Sequence, residues 1–475
     1  MRMLDVYFTP LVQKFPIKIS ILIFKAILGS GWLFYFPPMK FILSNKSKVQ
    51  GAWAMYDWAN SVYSLVITST IFPVYYNSVT KGVDGSDRVN FFGWEVVNTV
   101  LYSYSISFSF LVIAVLSPLL SGIADASGNK LFFMKFFAYL GSVACIGLFF
   151  FDGSNLEFGI LCSVLASIGY AGSIVFYNAY LPEIADEHEY DFLSARGFAL
   201  GYIGSVILLV FNLLMIQFPE SFGVPEGSFA ARFSFLITGL WWAGFAQIPF
   251  RILPKNPYQK IISSKFFLKG YEEIRSVFQE VKKIPVMKRF LASFFFYSMG
   301  VQTVMYLAAS FGDKELGMPG DQLILTVLII QFVAIGGSYL FAFISKFFGN
   351  KISLMIMVLI WIGICGAAYY VYSVYQFYAL AFVVGMVMGG IQSLSRSTFS
   401  KLIPEETTDH ASYFSFYDVT EKMAIVLGTF TYGAIEQLTG SMRNSAVSLG
   451  VFFLVGLGFL FLVSIPKKLL SPKTI

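Results

Sequence analysis

Charge, cysteine and histidine are all scarce in this sequence. Only 13% of its 475 residues are charged, against 57% hydrophobic, and its mean hydropathy is +0.70. A soluble globular domain carries roughly 25% charged residues, so that class is excluded. The three cysteines, Cys145, Cys162 and Cys365, lie in apolar runs without CxxC spacing. They read as small buried hydrophobes rather than metal ligands or disulfide partners. The two histidines, His188 and His410, each follow an acid, so a pH-sensitive pair or a metal site is conceivable. They lie in opposite halves of the chain, and no metal and no cofactor is expected. A GxxxxGK[ST] loop is missing, so ATP hydrolysis is not indicated. HExxH is missing too, as is an acidic dyad at one interface, which counts against an enzyme acting on lipid-linked substrates. The net charge of +6 is spread along the loops, where it sets membrane topology and does not make a nucleic-acid surface.

Long apolar runs are what the chain has instead. Runs of about 20 residues match a hydrocarbon core of roughly 30 Å at 1.5 Å per helical residue, and they lack the alternation of a membrane barrel. Spans are predicted at about 54–77, 94–120, 131–151, 158–181, 197–217 and 231–252, then at 290–311, 322–345, 352–372, 377–398, 414–436 and 446–464. The expected fold is an all-α polytopic membrane protein. Residues 51–253 form an N-terminal six-helix bundle and 290–465 a C-terminal one, with 254–289 a cytoplasmic linker and 466–475 a cytoplasmic tail. The linker stretch GYEEIRSVFQEVKKI has the spacing of an amphipathic surface helix.

Residues 1–50 are an extension of open status. The run Ile17–Phe36 carries Lys18 and Lys25 and ends at Pro37-Pro38. It is an extra membrane helix, an interfacial segment, or sequence upstream of a start at Met39. With both termini inside, the cytoplasmic loops hold most of the Lys and Arg, which orients the bundle. Odd-numbered spans then run outward, and Asp57 lies near the cytoplasmic end of span 1, where it faces protein or water, or caps at the membrane boundary.

The halves repeat. Leu181-Pro182-Glu183 after span 4 matches Ile403-Pro404-Glu405 after span 10 at an offset of 222 residues, and His188 falls on His410 at the same offset. Gly128-Asn129-Lys130 and Gly349-Asn350-Lys351 recur at nearly the same spacing. In the first copy the loop reads Gly122, Asp125, Gly128, Lys130; in the second, Lys346 stands where the acid was.

That first loop resembles the G-x-x-x-D-x-x-G-x-[RK] signature of the major facilitator superfamily, with its first spacing one residue shorter. YDWANSVYSLVITSTIFPVYY in span 1, and FYNAYLPEIA followed by SARGFALGY across spans 4 and 5, resemble the hallmark segments of its vacuolar-effluxer-like branch. That branch is named for a fungal autophagy-related amino-acid effluxer. YSMGVQTVMY in span 7 fits less well, with Ser298-Met299 in place of a polar pair. The resemblance covers residues 52–465. It implies the major facilitator fold, with twelve transmembrane helices in two six-helix bundles around a central cavity, and a secondary transporter working by alternating access. It does not set the substrate.

In that fold, spans 1, 4, 7 and 10 line the cavity. The candidate substrate residues are therefore Asp57, Asn60 and Tyr63, then Ser173, Tyr177 and Asn178, then Tyr297 and Gln302, and finally Gln392, Ser395 and Arg396. These amides and phenols suit a small zwitterion or other polar solute, although each would also serve as an interhelical hydrogen-bonding group. The candidate inner gate comprises Gly122, Asp125, Gly128, Lys130, Glu183, Arg196, Asp418, Glu421 and Lys422. Glu183 and Arg196 are expected to lock with Asp125, against the alternative of a solvated loop. Asp418 and Lys422, at i and i+4, are expected to neutralise each other. That leaves Glu421 unpaired, either to pair with Arg396 or Lys130 in the gate or to carry a coupling proton. The expected protein is a monomer in the lipid bilayer, moving an amino acid or related metabolite with protons as the candidate coupling ion. Its membrane is the bacterial cytoplasmic one, or the vacuolar one in a eukaryote. The competing classes are a transport-inactive receptor or scaffold and, behind it, a membrane enzyme.

Overall fold

The computed structural model describes residues 45–81, 86–225, 227–255 and 264–464. The expectations for the N-terminal run and the C-terminal tail lie outside these residues.

Span 1 is a continuous helical rod in three pieces: α1 (Asn45–Val62), a π-helical stretch (Tyr63–Thr70) and α2 (Ile71–Val79). Pro73 has no amide hydrogen and its ring crowds the carbonyl four residues back, so the chain widens before it. The Ile71 amide accordingly reaches Val66, five residues back. Because α1 begins at Asn45 and not at Ala54, Asp57 lies in the helix interior rather than its first turn.

The second span was expected from residue 94, but residues up to 97 form a hairpin of β1 (Arg88–Phe91) and β2 (Trp94–Val97). Phe92 and Gly93 both have positive φ, 48° and 87°, which is the two-residue turn that matches strand twist. Val89, Val96 and Val97 favour extended backbone on either side of it. The helices that follow are α3 (Asn98–Ser127), α4 (Lys130–Gly147), α5 (Leu156–Asn178), a short α6 (Leu181–Ile184), α7 (Tyr190–Gln217), α8 (Phe229–Phe245) and α9 (Gln247–Ile252). The amphipathic linker stretch forms α10 (Ser264–Lys283). Beyond it run α11 (Pro285–Leu316), α12 (Gly320–Tyr369), α13 (Val374–Leu402), α14 (His410–Thr439) and α15 (Met442–Phe461).

Nine of the described helices are long and apolar enough to cross a membrane. The longest, α12, turns at Gly349 (φ 78°, ψ 160°), where the Gly-Asn-Lys repeat falls, so it holds two of the predicted spans. Lipid-facing stripes are explicit: α4 exposes Phe132, Phe136, Tyr139 and Val143, spaced by four, three and four residues along one face. On the opposite face Phe133, Phe137 and Ala138 are buried. The protein is an integral, multi-pass, all-α membrane protein.

Packing pairs α1 with α7, α4 with α5 and α8, and α11 with α14 and α15. The largest contacts between the two parts of the chain set α7 against α12 and α13, and α14 against α3 and α5. The linker helix α10 lies on α3, and its Gly270 meets Gly122 so closely that a Cβ on Gly122 would sit 2.3 Å from the Gly270 carbonyl oxygen. Only glycines allow that crossing.

Candidate functional site

The centre of the site is a buried ion pair between the two parts of the chain. Arg396 on α13 stands 3.3 Å from Asp57 on α1, with 3% and 6% of the side chains exposed. The Tyr177 hydroxyl donates to Asp57 Oδ2 at 2.7 Å. Arg396 donates to Asn178 Oδ1 (3.3 Å), to Ser194 Oγ (2.9 Å) and to the Ser194 carbonyl (2.9 Å). Its guanidinium also lies over Phe198 and Trp53, at 4.2 and 4.8 Å from the ring centroids. Two charges taken out of water need this full set of partners. Asp57 and Arg396, expected as open cavity groups, are thus joined to each other.

Three further ties surround the pair at the linker end of the molecule. Asp125 at the end of α3 accepts the first amides of α14, from Ser412 at 2.7 Å and Ala411 at 3.3 Å, so it caps a helix in the other half. Gly128 ends α3 in the left-handed region (φ 69°), turning the chain into α4. Lys130 pairs with Glu183, which also accepts from His410 Nδ1 at 2.8 Å. The third tie centres on Asp191 in the first turn of α7: Lys401 (2.8 Å), Asn350 (2.8 Å) and Ser345 (2.9 Å) all donate to it. Between the two repeat loops opens a cavity of about 250 Å³ lined by Pro182 and Tyr190 on one side and Lys401 and Pro404 on the other.

The expected lock through Arg196 does not form. Among the described residues no ion pair joins Arg196 to Glu183 or Asp125; its guanidinium points at α1 beside Gly51, while Lys130 and His410 occupy Glu183. The charges of α14 also differ from expectation. Lys422 lies 3.1 Å from Asp418, as the i, i+4 spacing predicts, but also 3.2 Å from Glu421, which accepts from Gln302 on α11 at 2.9 Å. Glu421 is therefore paired, and with neither Arg396 nor Lys130. Lys422 stands 5.9 Å from the ring of Phe110, near the middle of α3.

The remaining candidates are inside the protein. Asn60, Asn178 and Gln302 are buried. Gln392 accepts from the Tyr202 hydroxyl across the halves at 2.6 Å. Tyr63 bonds Ser167 and Tyr297 bonds Ser395, each at 2.7 Å, linking spans 1 to 4 and 7 to 10. Ser173 donates to the Tyr170 carbonyl of its own helix. Sequence reading missed Asp191, Ser194, Phe198 and Tyr202, all on α7. The signal was the stretch SARGFALGY itself: a Cβ on Gly197 would meet Asp57 Oδ2 at 2.4 Å, which marks α7 as the wall against which the ion pair is built.

Asp186, His188 and Glu189 come close enough to hold a cation, yet Lys46 bridges Asp186 (2.6 Å) and Glu189 (2.7 Å) and supplies that positive charge.

The family profile described as "Vacuole effluxer Atg22 like" matches residues 45–191 and 188–471. The "Uncharacterized MFS-type transporter YxiO" of Bacillus subtilis is 31% identical over 424 residues, covering 88% of this chain and 95% of its own. "Autophagy-related protein 22-1" of Penicillium rubens is 24% identical over 481 residues, covering 83% of this chain and 80% of its own. Among solved structures, the major facilitator superfamily transporter FucP in its outward conformation matches with a TM-score of 0.64 at 12% identity, over 88% of this chain and 98% of that one. The proton:xylose symporter XylE matches with a TM-score of 0.65 at 14% identity, over 88% and 95%. The fold is that of the major facilitator superfamily, and the chain belongs to the vacuole effluxer Atg22 like family.

Proposed function

We propose that this protein is a secondary active transporter that carries a small polar solute, an amino acid or a related metabolite, by alternating access. Its spans count as twelve in two six-helix bundles, 51–253 and 290–465, joined by the 254–289 linker on the cytoplasmic side, and it works as a monomer. The observation that carries the reading is the concentration of ties between the halves at the linker end: Asp57 with Arg396, Asp191 with Lys401, Glu183 with His410, and Asp125 on the start of α14. A buried ion pair at a domain interface is expensive unless the interface persists, and each partner exposed to water on opening is rehydrated. Such pairs therefore suit a gate with two discrete states. In this conformation the gate is closed on the linker side.

The kinship with effluxers and the amide and phenol lining of spans 1, 4, 7 and 10 support an amino-acid-like solute. In proteoliposomes loaded with unlabelled amino acids, labelled amino acids added outside should accumulate by counterflow and saturate. Folded, monodisperse protein that gives no counterflow across the full panel of amino acids and related organic acids would leave a transport-inactive receptor instead.

A further inference from the structure

The trio Asp418, Glu421 and Lys422 holds two acids against one base inside the helical bundle, beside the middle of α3. Side-chain exposure is 2% for Asp418, 7% for Lys422 and 21% for Glu421. With both acids ionised, the cluster keeps one negative charge that no neighbour among the described residues cancels. From α11, it is faced by Tyr297, Gln302 and Tyr306; from α5, by Tyr170; and from α3, by Phe110. None of these is a cation. Arg396, whose field reaches Tyr417 beside the trio, is committed to Asp57. The Asp418 carboxylate oxygens are buried without a hydrogen bond, held only by the ammonium 3.1 Å away. An uncancelled charge at that depth cannot be carried through a closed, water-free state without a compensating cation.

We infer that Glu421 is the carrier of the coupling proton and that Asp418 is the fixed partner of Lys422. Glu421 is the more exposed acid, so it is the one that exchanges with water in the open cavity. On protonation the trio becomes neutral: the proton, taken from water on the open side, rests on a Glu421 carboxylate oxygen, and Lys422 keeps Asp418 alone. After the gates exchange, the proton leaves to water on the opposite side and Lys422 again bridges both acids. Gln302 can serve both forms, since its amide NH₂ donates to the carboxylate and its carbonyl can accept from the acid. A proton fits better than a metal cation, because Gln302 offers the trio its NH₂ and Lys422 its ammonium, which leaves too few oxygens for a coordination shell.

Purified protein in nanodiscs should show by infrared difference spectroscopy, beside any band removed by Glu273→Gln, a further carboxylic-acid carbonyl band that titrates with pH. The band should vanish in Glu421→Gln, and in Lys422→Gln it should persist to pH values at least one unit higher, because the competing cation is gone. A wild type without such a band, a band that survives in Glu421→Gln, or a band displaced by sodium but not by choline would each overturn the assignment. Should Glu421→Gln fail to fold, Glu421→Asp decides: the band should move in frequency, and an unmoved band would overturn the assignment. The second arm rests on the transport reading: in proteoliposomes the ratio of pH-gradient-driven uptake to amino-acid exchange should fall at least tenfold in Glu421→Gln. An unchanged ratio refutes coupling through Glu421. Absence of all transport by the wild type refutes the transport reading and leaves the infrared arm to decide the proton site.

Discussion

At the residue scale, the buried pair depends on a missing side chain. Gly197 leaves the space where Asp57, Tyr177 and Arg396 meet; a Cβ there would stand 2.4 Å from Asp57 Oδ2 and 3.0 Å from Arg396 Nη2. Gly197→Ala should therefore separate the two charges without changing either. Asp57→Asn should do so more severely, since removing one partner of a buried ion pair costs about 3–5 kcal/mol. At 1.4 kcal/mol per decade, that destabilises the closed state by roughly 10²-fold or more. With Ser400→Cys as a reporter and the three buried cysteines replaced, a membrane-impermeant maleimide added on the linker side should label either variant faster than the parent. Equal labelling rates in both variants would mean that the pair does not hold the gate. Asp57 could be singled out from the sequence because an acid inside an apolar run has few uses. Arg396 was legible as a cavity candidate too, but its pairing with Asp57 was not, because the two lie 339 positions apart.

At the scale of an element, the linker helix is more than a tether. α10 crosses α3 where Gly270 faces Gly122, its Glu280 accepts from the Tyr413 hydroxyl of α14 at 2.7 Å, and Phe278 stacks on Phe416. It thus bridges the two helices that Asp125 also ties. Glu273 on the same helix is half-buried, and burial, followed by its hydrogen bond with Asp409 and the nearby Asp125 and Glu280, pushes its carboxyl up to about 7. The sign follows from linkage: a carboxyl raised in the docked state favours docking below its ordinary range, and that contribution is lost as pH rises through about 7. Hydrogen exchange of α10, corrected for intrinsic rates, should quicken between about pH 4.5 and pH 7 and level off above that in the parent, and stay flat in Glu273→Gln. A parent with no such pH dependence would show that the acid pair does not load the clamp. The helix itself was legible in GYEEIRSVFQEVKKI, because an apolar stripe every three to four residues is a local signal. Where it docks was not, since that is written in a glycine on another helix.

At the scale of the whole molecule, the repeat was legible from Pro182 and Pro404 and from the two Gly-Asn-Lys turns, whereas the logic of the second latch was not. Lys346 stands where Asp125 has its counterpart, which reads as a latch lost from the second half. The tie persists because the acid has moved to the other partner: Asp125 reaches from the end of α3 to the start of α14, while Asp191 at the start of α7 receives Ser345, Asn350 and Lys401. Periodicity reports faces of single helices and says nothing of exchanges between them, so Asp191 passed as one more acid in PEIADEHEYDFLSARG. Two latches with no residue in common should act independently. Charge-assisted hydrogen bonds of this kind contribute about 1.5–3 kcal/mol each, so Asp125→Asn and Asp191→Asn should each favour opening by roughly 10- to 100-fold. In the double variant the two factors should multiply, read by the same Ser400→Cys labelling, and Asp191→Lys combined with Lys401→Asp should recover part of the loss. If the double variant opens no faster than the weaker single one, the halves are held by one concerted lock, and the picture of two mirrored latches with exchanged acids fails.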